Sequence, residues 1–130
     1  MKTIIAGSRN IDSYKVIEDA VKESGFQITQ VVSGGARGVD KLGETYASAN
    51  NIPLTVANAD WEAYGRRAGI IRNQEMAAYA DALIAIWDGT SPGNKNMIDE
   101  AKKRNLKVFV KTVDVAQILK ENGKIPFNMD

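Results

Sequence analysis

Cysteine and histidine are both absent from this 130-residue chain. Together these absences exclude disulfides, zinc sites of the Cys/His type, cysteine nucleophiles and histidine acid–base chemistry. No metal and no cofactor is therefore expected. An excess of either charge is also missing, with 17 Lys plus Arg against 16 Asp plus Glu. Bulk charge thus gives no pull toward nucleic acid or a membrane surface, and any anion site must be built locally. No apolar run is long enough to span a bilayer. The opening "MKTIIAGSRN" carries one lysine and a short apolar run broken at Gly7, a poor signal peptide. A cysteine-free chain suits a reducing compartment, and a cytoplasmic location without a membrane partner is expected. There is no linker, repeat or low-complexity segment. Residues 1–130 read as one domain, large enough to bury about two thirds of its unfolded surface without a staple.

Short β-rich runs alternate with helical patterns. The strand candidates are "TIIAG" (3–7), "ITQVVSG" (28–34), "PLTVAN" (53–58), "ALIAIWDG" (82–89) and "KVFVK" (107–111). Most are continuous apolar runs without period-two alternation, as parallel strands covered on both faces require. Helices are expected at 13–24, 37–50, 67–80, 95–104 and 113–121. The second places Val39, Leu42, Gly43, Tyr46 and Ala47 on one core-facing stripe. Asp12-Ser13 and Asn94 read as N-caps, and Gly25 and Asn105 as C-terminal breakers. The alternation predicts an α/β fold: a Rossmann-like, doubly wound parallel sheet of about five strands. "ENGKIPFNMD" reads as a loose tail.

Ligands of such sheets bind at the carboxyl ends of the strands. The loops expected there are "GSRN" (7–10), "SGGARGVD" (33–40), "NADWEAYGRRAG" (58–69) and "DGTSPGN" (88–94). They run into helix N-termini, whose free N–H groups and dipole favour an anion. One dipole contributes only about 0.3–1 kcal/mol at an exposed site, so several must converge. Gly7, Gly34, Gly35, Gly38, Gly89 and Gly93 permit tight turns and close approach of a phosphate. Ser8, Ser33 and Ser91 add hydroxyls, Arg9 and Arg37 add bidentate charge, and Asp88 and Asn94 flank the last loop. Neither G-x-G-x-x-G nor G-x-x-x-x-G-K-[ST] is present, so this is a phosphate cradle of another kind.

Other residues admit two readings. Asp40 and Glu44 sit one helical turn apart, as ribose-hydroxyl acceptors, as a general acid/base, or as a solvated helix face with Asp40 favouring the dipole. Arg72 and Asn73 are ligand candidates, while one of Arg66 and Arg67 only decorates the surface. Trp61 and Tyr64 either stack on a base, form a lid or pack into the core. Trp87 closes an apolar strand as core or interface. Ile70, Ile71, Met76, Ala77, Ala78 and Ala80 make the third long helix apolar on more than one stripe, which requires full burial or a second subunit. A homodimer or larger homo-oligomer is expected.

"AGSR", "VVSGGARGVD", "DWEAYGRRAGIIRNQEMAAYADALIAIWDG" and "GTSPGNKNMIDEAKKRNLKVFV" together resemble the YspA-like, YpsA-related branch of the SLOG superfamily, over residues 3–111. The resemblance implies a Rossmann-like binder of nucleotides or nucleotide-derived signals. Its relatives include lonely-guy phosphoribohydrolases, which release a base from a nucleoside monophosphate, and DNA-processing protein A, which binds single-stranded DNA. The hydrolase motif P-G-G-x-G-T-x-x-E departs here to "GTSPGNKNM": Gly93 keeps its glycine, Asn94 replaces Thr and Met97 replaces the catalytic Glu. Asp99 lies about 200° further around the helix. The reading is therefore a sensor or sequestering protein for a small phosphorylated nucleotide or ADP-ribose-type ligand, with binding rather than turnover. The alternatives are an N-glycosidic hydrolase using Asp40 or Glu44, and a single-stranded DNA-binding module. Balanced charge disfavours a nucleic-acid partner.

Overall fold

A computed structural model describes residues 1–121. The elements are β1 (Lys2–Gly7), α1 (Tyr14–Ser24), β2 (Gln30–Ser33), α2 (Val39–Ala49), β3 (Leu54–Val56), α3 (Trp61–Tyr64), a 3-10 turn (Gly65–Arg67), α4 (Ala68–Tyr79), β4 (Ala82–Trp87), α5 (Pro92–Lys103), β5 (Lys107–Thr112) and α6 (Val115–Glu121). The strands form one parallel sheet in the order β3-β2-β1-β4-β5. The chain winds outward from β1 to β3 and then crosses back to lay β4 beside β1, pairing Ile4 with Leu83 and Ile5 with Ile84. The strand order therefore reverses between β1 and β4, and a crevice opens beyond their carboxyl ends.

Alternation along the central strands feeds two cores. Ile4, Ala6, Val32, Leu83 and Ala85 pack against Met76, Ala77 and Ala80 of α4 and Met97, Ile98 and Ala101 of α5. Ile5, Val31, Ile84 and Ile86 face Ile17 and Ala20 of α1, Val39 and Ala47 of α2, and Ile118 of α6. Each fully buried isoleucine stabilises the fold by roughly 1.5–3 kcal/mol, which concentrates stability in β1 and β4 under the crevice. Helix α2 lies close on β1 because a Cβ at Gly43 would come within 2.9 Å of Ile5 Cγ2. At Gly7 it would meet Ile86 O and the side chain of Val39.

Gly25 ends α1 at φ 70° and Asn105 follows α5 at φ 61°, both in the left-handed region. Ser13 is the N-cap of α1, without a side-chain capping bond. Asn94 is not a cap: α5 begins earlier, with Ser91 as N-cap and Pro92 in the first turn. Proline's missing N–H costs nothing there, so Ser-Pro overrode asparagine as the start signal. Asn94 is instead buried in the first turn. Helix α3, expected as loop, forms because Asp60 caps it by accepting from Ala63 N at 3.0 Å. Helix α4 buries Met76 and Ala77 but leaves Ile70 46% exposed. Among the described residues no helix is long and apolar enough to cross a membrane. From residue 122 onward the expected loose tail lies outside the described residues.

Candidate functional site

Three turns interlock at the crevice, and Ser8 ties them. Its backbone N–H donates to Ile86 O at 3.1 Å, and its carbonyl accepts from Val39 N at 3.3 Å. Its Oγ accepts from Asp88 N at 3.2 Å and Asn94 Nδ2 at 3.4 Å. Gly38, the residue before α2, lies against the same turn: a Cβ there would be 2.5 Å from Ser8 O and 2.6 Å from Arg9 C. In the β4–α5 turn, Asp88 Oδ1 accepts from Thr90 N at 2.9 Å and Ser91 N at 2.8 Å. These bonds hold its carboxyl below the usual carboxylate range. Trp87 Nε1 donates to Ser91 O at 3.1 Å, bracing the turn from the strand side. Pro92 has no N–H and Ser91 N is taken by Asp88, so the Gly93 and Asn94 N–H groups are the free donors of the first turn of α5, at two residues that line the crevice.

The β2–α2 turn carries the buried acid. Asp40 is 5% exposed, and its Oδ2 accepts from Ala36 N at 3.3 Å. Burial pushes its carboxyl up to about 6, against the opposing pull of the Ala36 N–H and the Arg72 guanidinium. Burial likewise lowers Arg72. The two groups flank Gly34, where a Cβ would lie 2.8 Å from Asp40 Oδ2 and 3.0 Å from Arg72 Nη1. Arg72 Nη1 donates to Gly34 O at 2.9 Å and Nε to Asn73 Oδ1 at 3.3 Å. Asn73 Nδ2 continues to Asn96 Oδ1 at 2.9 Å. This relay fixes the guanidinium between the β2–α2 turn and α5.

A cavity of about 370 Å³ lies among these turns. Gly7, Ser8 and Arg9 line it from the end of β1 and the turn after it, Arg37 and Asp40 from the β2–α2 turn and the first turn of α2, and Arg72 and Asn73 from α4. Asp88, Ser91, Gly93 and Asn94 line it from the β4–α5 side. Gly34 and Gly35 line an adjoining cavity of about 620 Å³, which also takes in Arg9, Arg37 and Arg72. Ser33, Glu44, Gly38 and Gly89 line neither. Ser33 is wholly buried; its Oγ donates to Glu44 Oε2 at 2.7 Å and accepts from Gly35 N at 3.1 Å. Glu44 in turn meets Lys41 Nζ at 3.4 Å, so this pair supports the turn from behind. Gly89 turns the chain at φ 89°.

Sequence reasoning did not single out Asn10, Ala36 and Met76 in the first cavity, nor Asn58 and Ala59 in the second. Met76 is 2% exposed and has the spacing of any core residue, so nothing in the pattern marks it. Asn10 directly follows "GSR", which is a legible signal. Met97, 2% exposed, closes the first cavity with an apolar side chain. The arrangement brings guanidinium groups, helix N–H donors and one protonatable carboxyl around a space of ligand size, a chemistry suited to phosphate oxygens.

The family model described as the YspA, cpYpsA-related SLOG family matches residues 1–64, which contain the β1–α1 and β2–α2 turns and Trp61. The Gene 61 protein of Mycobacterium phage D29 is 32% identical, over 83% of this chain and 94% of that protein. Among solved structures, DNA processing protein A from Streptococcus pneumoniae aligns with a TM-score of 0.69 over 95% of this chain, at 16% identity. The chain spans 57% of that protein's length, and the likeness is one of fold.

Proposed function

Because this chain belongs to the YspA, cpYpsA-related SLOG family, we propose that it binds a small nucleotide or nucleotide-derived molecule through its phosphates, as a sensor or sequestering protein. One observation carries this reading: Arg9, Arg37 and Arg72 meet the first turn of α5 around the cavity at the β1/β4 switch point. Charge-assisted hydrogen bonds to a phosphate contribute about 1.5–3 kcal/mol each and a helix N-terminus about 0.3–1 kcal/mol, so these groups supply about 5–10 kcal/mol before the cost of association, against the roughly 8 kcal/mol net of a micromolar complex. The test is calorimetry with nucleoside mono- and diphosphates, NAD and ADP-ribose, together with mass spectrometry of molecules that co-purify. Micromolar binding of at least one supports the reading, and no binding of any at millimolar concentration sinks it.

Asp40 favours a second reading, N-glycosidic cleavage. A cavity carboxyl with a pKa of about 6 is poised to move protons near neutrality. Met97 can carry neither charge nor a proton and Glu44 faces Ser33, so proton transfer would rest on Asp40, while Asp88 in the same cavity is held in its ionised form by the Thr90 and Ser91 N–H groups. Free base released from nucleoside monophosphates, lost in Asp40→Asn, would establish it. Binding without release is the outcome we expect. A DNA-binding role draws on fold likeness alone and is opposed by the balanced charge.

Self-association is part of the proposal. Ile70 and Tyr79 of α4 and Leu54 and Val56 of the edge strand β3 are all more than a third exposed. Light scattering at micromolar concentration is expected to give at least twice the monomer mass of 14.2 kDa.

A further inference from the structure

The phosphate site does not account for the adjoining cavity or for Trp61. The indole is 55% exposed, an unfavourable placement for a large apolar ring on a free surface. Yet its backbone is held at both ends of α3. Asp60 caps the helix, and the Gly65 N–H donates to Trp61 O. Asn58 Oδ1 lies against Gly35, and Trp61 lines the second cavity together with Gly34, Gly35 and Asn58. Gly69 brings it near the phosphate site: a Cβ there would lie 3.7 Å from Trp61 Cη2 and 3.9 Å from Arg72 Nη2. The indole and the guanidinium thus flank one point, and Arg72 belongs to both cavities.

Resting on the phosphate reading above, we propose that Trp61 is a stacking platform for the nucleobase of the ligand, with phosphates in the first cavity and the base in the second. A flat ring face accepts any base and adds affinity without hydrogen-bond readout. Asn58 lines the same cavity, and its amide, which offers both a donor and an acceptor, would read the base edge. The required ligand class is then a base-bearing nucleotide. Sugar phosphates and inorganic phosphates fill only half of the site. Trp61 is a specificity determinant and takes no part in bond making.

The test compares ADP, GDP, CDP and UDP with pyrophosphate and ribose 5-phosphate, by calorimetry on wild type, Trp61→Ala and Trp61→Phe. In the chain with Trp61→Phe, tryptophan emission reports Trp87 alone, since the sequence has 2 tryptophans. The proposal expects Trp61→Ala to weaken the best nucleoside diphosphate about ten- to hundredfold. It expects Trp61→Phe to weaken it less, and both variants to bind pyrophosphate as wild type does. Nucleoside diphosphates should quench wild type more than pyrophosphate does, an excess that disappears in Trp61→Phe, where Trp87 at the β4–α5 turn reports phosphate binding alone, and the melting temperature of both variants should stay near wild type. Equal diphosphate affinity in wild type and Trp61→Ala overturns the proposal. If pyrophosphate binds wild type but no nucleoside diphosphate binds more tightly, the phosphate reading stands and stacking falls. If nothing in the set binds wild type, stacking falls, and the phosphate reading falls with it once nucleoside monophosphates, NAD and ADP-ribose also fail to bind.

Discussion

In the β2–α2 turn Gly35 and Gly38 hold φ of 77° and 79°, and a Cβ on Gly38 would strike the backbone of Ser8 and Arg9. In the first turn of α5, Gly93 has no atom from outside its own stretch of helix within 4 Å of where its Cβ would lie. The first turn uses glycine because the chain can be folded no other way. In the second, the protein itself offers no steric reason. A glycine in a helix costs about 0.5–1 kcal/mol against alanine. Where the fold does not demand that loss, the proposed ligand would supply the reason by approaching the backbone closely, and Gly93 lines the cavity. Gly34 is a third kind, kept small by the side chains of Asp40 and Arg72.

Substitutions sharpen this contrast. Gly38→Ala should have the largest effect, a loss of at least about 3 kcal/mol from left-handed strain and the clash with the β1–α1 turn, read as a lower midpoint in urea. A near-wild-type midpoint would break the claim that the two turns interlock.

Asp40→Asn should come next, and its effect depends on pH. The folded carboxyl titrates at about 6, above its ordinary 3.8. Between those values the folded protein holds a proton that the unfolded chain has released. Stability therefore falls as pH rises through that window and levels off above it, by roughly 3 kcal/mol in all. Asparagine should flatten that slope, so the variant gains on wild type from pH 4 to pH 7 in thermal melts. Parallel melting curves would show that Asp40 is not buried as a charge.

Gly93→Ala has the smallest effect on stability and the most telling one on binding. It should raise stability by about 0.5–1 kcal/mol. It should also weaken binding of a nucleoside diphosphate about tenfold or more, in the same preparation. Stabilisation with unchanged affinity would mean that the glycine serves no ligand. Gly35→Val is a poorer probe, because its positive φ and the crowding by Asn58 and Val56 test the turn rather than the cradle.

The central strands were legible because "TIIAG" and "ALIAIWDG" are apolar without alternation, and burial on both faces leaves no other pattern. "PLTVAN" shrank to Leu54–Val56, since an edge strand keeps ladder bonds only where β2 reaches it. Cavity residues next to glycine in a strand–helix turn were readable from composition, as Arg9, Arg37 and Gly93 illustrate. The meeting of Asp40 with Arg72 was not, because it depends on how α4 packs beside the β2–α2 turn and on the missing side chain at Gly34. Ser33 and Glu44 looked like ligand groups for the same reason Asp40 did. Their mutual hydrogen bond turns them inward, and no one-dimensional signal separates the two outcomes.

The most direct test of the central claim is an amide chemical-shift titration of the 14.2 kDa chain with ADP. The account predicts that the largest shifts fall in three turns, at residues 7–10, 34–38 and at Ser91, Gly93 and Asn94, with Trp61 Nε1–H moving alongside. Shifts confined to the groove between α1 and α6 lined by Val16 and Gln117, or no shifts with ADP or any other nucleotide of the panel at millimolar concentration, would contradict it.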